Sequence, residues 1–204
     1  MTSPEPVMRL APVIPVLTIE DAAWAQPIAE ALVAGGLKAL EVTLRTPAAL
    51  DVIAEMAKVE GAVVGAGTVL NAVDLDRAVS AGARFIVSPG LTEQLAEAAI
   101  AADVPFLPGV ATAGDLMRGL DQGLTFFKFF PAEAAGGRKA LSALAAPFHR
   151  ARFCPTGGVT LASAPEWLAM GSVLCVGGSW IVPAGPPDVE GIRQRAAEAA
   201  GLAG

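Results

Sequence analysis

Two spacings of apolar residues alternate along the chain. Eight short runs are rich in Val, Ile, Leu and Phe and read as β-strands: APVIPVL (11–17), LKALEVTL (37–44), AVVGAG (62–67), ARFIVS (83–88), VPFLP (104–108), LTFFKFF (124–130), ARFCP (151–155) and SVLCVGG (172–178). Between them lie alanine-rich stretches with helical spacing, several with start and stop signals. Thr46-Pro47 reads as an N-cap with proline in the first turn. Thr18 with Asp21, Asn71 with Asp74, and Thr112 with Asp115 resemble capping boxes in which Asp stands for Glu. Gly35-Gly36, Gly82, Gly123 and Gly171 fall where helices should stop.

Strands that alternate with single helices pair in parallel through right-handed crossovers. Eight such units close into a (β/α)8 TIM barrel. An open doubly wound sheet is the rival, but no G-x-G-x-x-G fingerprint follows the first run. No linker, charge block or low-complexity tract breaks the rhythm. The expectation is therefore one barrel domain over residues 1–204, with a short segment of about ten residues before the first strand.

Catalytic groups of such barrels sit at the carboxyl ends of the strands. In LTFFKFF, period-two alternation puts Phe126, Lys128 and Phe130 on one face and Phe127 and Phe129 on the other. A lysine cannot cheaply face the helix layer, so Lys128 should point inward near the barrel mouth. In LKALEVTLR, Ala39, Glu41, Thr43 and Arg45 share a face, which sends Glu41 inward as well. A plain ion pair would satisfy both charges. A carboxylate beside a neutral amine is also a proton shuttle beside a nucleophile. Arg45, at the strand exit, has a planar fork suited to a carboxylate. Thr68 offers a hydroxyl after the third run; a helix cap is its other reading. Gly157-Gly158 and Gly177-Gly178-Ser179 close the last two runs. Barrels commonly hold phosphate there, and paired glycines let backbone N–H groups approach an anion. On this reading a β-carbon at Gly158 or Gly178 would obstruct the anion or a required positive φ.

Composition narrows the chemistry. The formal net charge of −6 argues against nucleic acid and anionic membrane surfaces as partners. No apolar run reaches the length of a membrane span, and the amino terminus does not read as a signal peptide, so a cytoplasmic protein is expected. Cys154 and Cys175 read as buried free thiols, and His149, the single histidine, as a surface residue between helix and strand. One His and two distant Cys do not compose a typical zinc site, so no metal is expected. The residues then point to imine chemistry on a phosphorylated 2-oxo acid, with the lysine imine as electron sink and no cofactor.

The motifs LEVTLRTP (40–47), VGAGTVLN (64–71), VSPGLT (87–92), FKFFPAE (127–133), RFCPTGG (152–158) and LCVGGSW (174–180) resemble the 2-dehydro-3-deoxy-6-phosphogluconate (KDPG) aldolase / 4-hydroxy-2-oxoglutarate aldolase family, from about residue 8 to residue 185. The resemblance implies a metal-independent class I aldolase, a lyase of the Entner–Doudoroff pathway, that cleaves KDPG to pyruvate and D-glyceraldehyde 3-phosphate. It implies that Lys128 forms the imine, Glu41 moves protons, and Arg45 and Thr68 hold the pyruvyl carboxylate. Pro89, Phe130 and Thr156 would line the site; Gly157, Gly158, Gly177, Gly178 and Ser179 would surround the phosphate. It further implies a homotrimer and a side activity on 4-hydroxy-2-oxoglutarate. The alternative is a related pyruvate aldolase such as phosphogalactonate aldolase, which shares the barrel and the lysine.

Overall fold

The computed structural model describes residues 2–202. Its strands are β1 (Val13–Leu17), β2 (Ala39–Thr43), β3 (Val63–Gly67), β4 (Ile86–Val87), β5 (Phe106–Leu107), β6 (Gly109–Val110), β7 (Phe126–Phe129), β8 (Arg152–Pro155) and β9 (Val176–Gly178). They pair in the order β5-β4-β3-β2-β1-β9 and, separately, β6-β7-β8, always in parallel. Two joins close the ring. β5 and β6 are halves of one strand, parted at Pro108, whose carbonyl still accepts from Lys128 N–H at 2.8 Å. Bridges Phe153↔Val173 and Thr156↔Gly177 tie β8 to β9. The result is a (β/α)8 barrel whose fifth strand is broken because Pro108 has no N–H for the ladder.

The helices are α1 (Glu5–Met8), α2 (Ala25–Ala34), α3 (Ala49–Met56), α4 (Ala72–Ser80), α5 (Glu93–Ala101), α6 (Ala113–Asp121), α7 (Gly137–Ala145), α8 (Ala164–Leu168) and α9 (Val189–Ala200). Side chains of alternate strand residues feed two cores. Phe127, Phe129 and Phe153 point outward and pack with the helix layer, including Trp167 of α8. Ile14, Ala39, Phe85, Val87, Leu107, Cys154 and Cys175 fill the interior, which Met8 of α1 enters. The residues before β1 are thus partly helical and partly buried, which no periodicity before residue 11 suggested.

Two caps differ from expectation, in each case because a tertiary contact claims the side chain. Thr46 does not cap α3; its hydroxyl donates to Ile19 O at 2.7 Å, and α3 starts at Ala49 without a side-chain cap. Thr18 forms no box with Asp21: its hydroxyl meets that of Thr43 at 2.9 Å, and Asp21 caps a short 3-10 turn by itself. Asn71 caps α4, and Thr112 with Asp115 forms a complete capping box on α6. Among the described residues, no helix is long and apolar enough to cross a membrane.

Candidate active site

Strand register sets the depth of each functional side chain. Glu41 stands level with Val16 and Gly65, and Lys128 with Gly109 and Cys154, so both point inward above the interior core. They meet across the barrel: Lys128 Nζ donates to Glu41 Oε1 at 3.1 Å. The side chains are only 6% and 4% exposed, so each charge has little water and depends on the other. Phe130, two residues on, lies with its ring centroid 5.2 Å from Nζ, a cation–π distance. The proton that Lys128 must lose before it can attack a carbonyl therefore has an acceptor in place.

One wall beside this pair is built by β2 and β3. Arg45 Nε donates to Thr68 Oγ1 at 3.2 Å, joining the two residues expected at a carboxylate. Thr68 has φ +59°, a strained value for a β-branched residue. It is no helix cap, because Asn71 caps the following helix. Strain of that kind persists where the surroundings fix a side chain in a required direction.

A second wall, separated from the first by β1, comes from β8 and β9. Thr156 is 6% exposed, and its hydroxyl stands where a side chain on Gly177 would be, 2.2 Å from a Cβ built there. Gly157 and Gly158 have φ of +100° and +84°. Ser179 is exposed at the mouth, in a cavity of about 230 Å³ that it shares with Thr18 and Glu20. Pro89 follows β4, and its carbonyl lies against Gly109, the register partner of Lys128.

The glycine pairs differ from expectation in one respect. Gly178 is not left-handed, and its missing Cβ faces the Trp180 ring at 2.1 Å; that of Gly158 faces Glu133 Cγ at 2.7 Å. At Gly158 the expected positive φ and this close packing both exclude a side chain; at Gly178 the packing against Trp180 alone does. Beneath the site lie Cys154 and Cys175, free and buried. The Cys175 thiol is pushed well above its usual range, first by its hydrogen bond with Cys154, then by burial, with the Glu41 charge adding. It stays protonated and inert.

Three contributors escaped the sequence reading. Gly67 makes room for the Glu41 carboxylate. Thr43, inward from β2, donates to Leu17 O at 2.8 Å and orients Thr18. Glu133 packs against Gly158. Only Thr43 left a signal, through its alternation with Glu41. Among the described residues, no three His, Cys, Asp or Glu side chains cluster as metal ligands would.

A parallel barrel with a buried lysine–glutamate pair at the carboxyl ends of its strands defines a protein equipped for lysine-imine chemistry. The chain belongs to the KDPG and KHG aldolase family, whose model matches residues 5–195. It is 64% identical over 193 residues to the 2-dehydro-3-deoxy-phosphogluconate aldolase of Zymomonas mobilis, covering 95% of this chain and 93% of that one. The crystal structure of the Zymomonas mobilis ZM4 enzyme with 3-phosphoglycerate superposes with a TM-score of 0.96 at 62% identity, covering 98% of this chain and 95% of the other. The KDPG aldolase of Legionella pneumophila, with pyruvate captured as a covalent carbinolamine, matches with a TM-score of 0.94 at 42% identity over 98% of both chains.

Proposed function

We propose that this chain is a class I aldolase that cleaves KDPG to pyruvate and D-glyceraldehyde 3-phosphate, the Entner–Doudoroff reaction. The observation that carries the reading is the buried contact of Lys128 Nζ with Glu41 Oε1 at 3.1 Å. Family membership supports the substrate.

Neutral Lys128 attacks C2 of the 2-oxo acid to form a carbinolamine. Glu41 donates the proton with which the C2 hydroxyl leaves as water, giving the protonated imine. Glu41, now a carboxylate, takes the C4 hydroxyl proton, directly or through a water. The C3–C4 bonding pair flows into the imine as the enamine forms, and the C4 carbonyl departs as D-glyceraldehyde 3-phosphate. Protonation at C3 and hydrolysis then release pyruvate and return the lysine. Arg45, oriented through Thr68, pairs with the pyruvyl carboxylate. Pro89, Phe130 and Thr156 border the reacting carbons, and Gly157, Gly158, Gly177, Gly178 and Ser179 receive the phosphate.

The carboxylate wall on β2–β3 and the phosphate wall on β8–β9 are separate. Cleavage of 4-hydroxy-2-oxoglutarate, which has no phosphate, needs only the first and is a side activity. The same resemblance supports a cytoplasmic homotrimer, for which exposed Leu70, Val73 and Met117 offer apolar surface; sedimentation equilibrium tests the assembly. The reaction is tested by pyruvate release from KDPG in the presence of a chelator, measured beside phosphogalactonate. Release from KDPG is expected; a preference for phosphogalactonate would transfer the reading to that related enzyme.

A further inference from the structure

Glu133 has no place in the chemistry above, yet its environment is specific. It lies in the turn after β7, the strand that carries Lys128. Ala132 N–H donates to Thr156 O at 2.8 Å and Glu133 N–H to Gly157 O at 3.0 Å, so this turn runs alongside the loop after β8 and holds it by its backbone. The Glu133 side chain, on an exposed residue, lies against Gly158: a Cβ on that glycine would lie 2.8 Å from Glu133 Cβ and 2.7 Å from Cγ. Its far end is fixed too. Trp167 Nε1 donates to Glu133 Oε1 at 3.1 Å, and Trp167 is fully buried against Phe129.

A buried indole N–H needs an acceptor, so Trp167 holds the carboxylate in one place. That bond holds the aliphatic part of Glu133, itself an exposed residue, against Gly158 and so fixes the turn at 132–133. Gly157 and Gly158 both have left-handed backbone, with no side chains of their own to fix their peptide planes. The planes that carry the Gly157 and Gly158 N–H groups also carry Thr156 O and Gly157 O, which accept from Ala132 and Glu133 N–H. Those N–H directions therefore depend on where the turn at 132–133 is held.

We infer that Glu133 is a positioning residue for phosphate: a strut, locked at one end by Trp167, that aims the Gly157–Gly158 N–H groups at the anion. The inference rests on the phosphate site of the proposed function. It explains why an acidic residue stands beside a site for a dianion. The carboxylate is engaged by the indole, and the apolar stem supports the loop.

Three variants test it, each with KDPG and with 4-hydroxy-2-oxoglutarate as substrate. Glu133→Ala removes the strut and should raise KM for KDPG by about 10- to 100-fold, the scale of a misplaced binding group, while kcat/KM for the unphosphorylated substrate stays nearly unchanged. Glu133→Gln keeps an oxygen that accepts from Trp167 and should recover most of the wild-type KM. Trp167→Phe removes the donor together with part of a buried ring; once a melting curve shows that it folds, it should raise KM for KDPG less than Glu133→Ala. Calorimetric titration with inorganic phosphate reads the loop without catalysis, and weaker binding to Glu133→Ala is expected. Failure of the aldolase reading would appear instead as absent cleavage by the wild-type protein, with phosphate binding and its dependence on Glu133 intact. The positioning role is overturned if Glu133→Ala affects both substrates equally or neither, or if Glu133→Gln is as damaging as Glu133→Ala.

Discussion

Gly67 and Glu41 interlock: a β-carbon on Gly67 would lie 2.2 Å from Glu41 Oε1. The carboxylate that reaches Lys128 therefore occupies the space of an absent side chain on the neighbouring strand, at a point where Thr43 and Gly67 are register partners. Gly67→Ala should displace Glu41 from Lys128 and lower kcat by about 10- to 100-fold, with a smaller change in KM. Steady-state kinetics checks this, together with a melting curve to show that the variant folds. Unchanged kcat would mean that the carboxylate has room to spare.

Glu41→Gln separates proton transfer from charge pairing. As a shuttle, Glu41 contributes about 10²–10⁴ in kcat, and the amide should lose that amount. Were it only a counter-ion, the variant would keep its rate and lose stability, because Lys128 would be left buried without a charged partner. Rates and melting temperatures measured on one preparation distinguish these outcomes.

Cys154 and Cys175 should be unreactive toward iodoacetamide in the folded protein at mildly alkaline pH and become alkylated on denaturation. Both are buried, and the raised Cys175 thiol withholds the reactive thiolate. Mass spectrometry before and after denaturation counts the labelled sites; labelling of Cys175 in the native state would contradict its placement.

The barrel was legible because strand and helix periods alternate eight times, and the lysine–glutamate pair because neither charge could face the helix layer. Strand limits were less legible. The fifth strand splits at Pro108, which has no N–H for the ladder, and regular β4 covers only Ile86–Val87 although strand-type bonds from Arg84 and Ser88 N–H flank it. Thr46 and Thr18 looked like caps because the local pattern was right, but Ile19 O and Thr43 claim their hydroxyls. Gly67 and Glu133 owe their roles to residues on other elements, and Gly178 to the Trp180 ring that folds back from two residues on. A sequence shows a glycine or a glutamate at such positions, and only the packing shows what it adjoins.

The central claim is that Lys128 is the imine-forming nucleophile. Borohydride added with pyruvate should attach a stable three-carbon adduct to Lys128 and abolish activity. Lys128→Arg should give no adduct and almost no cleavage, since a guanidinium stays protonated. Lys38, Lys58 and Lys139 are all exposed and serve as internal controls. Peptide mapping that finds the adduct on Lys128 alone is the predicted result; an adduct on one of the other three, with activity lost in step, would contradict the account.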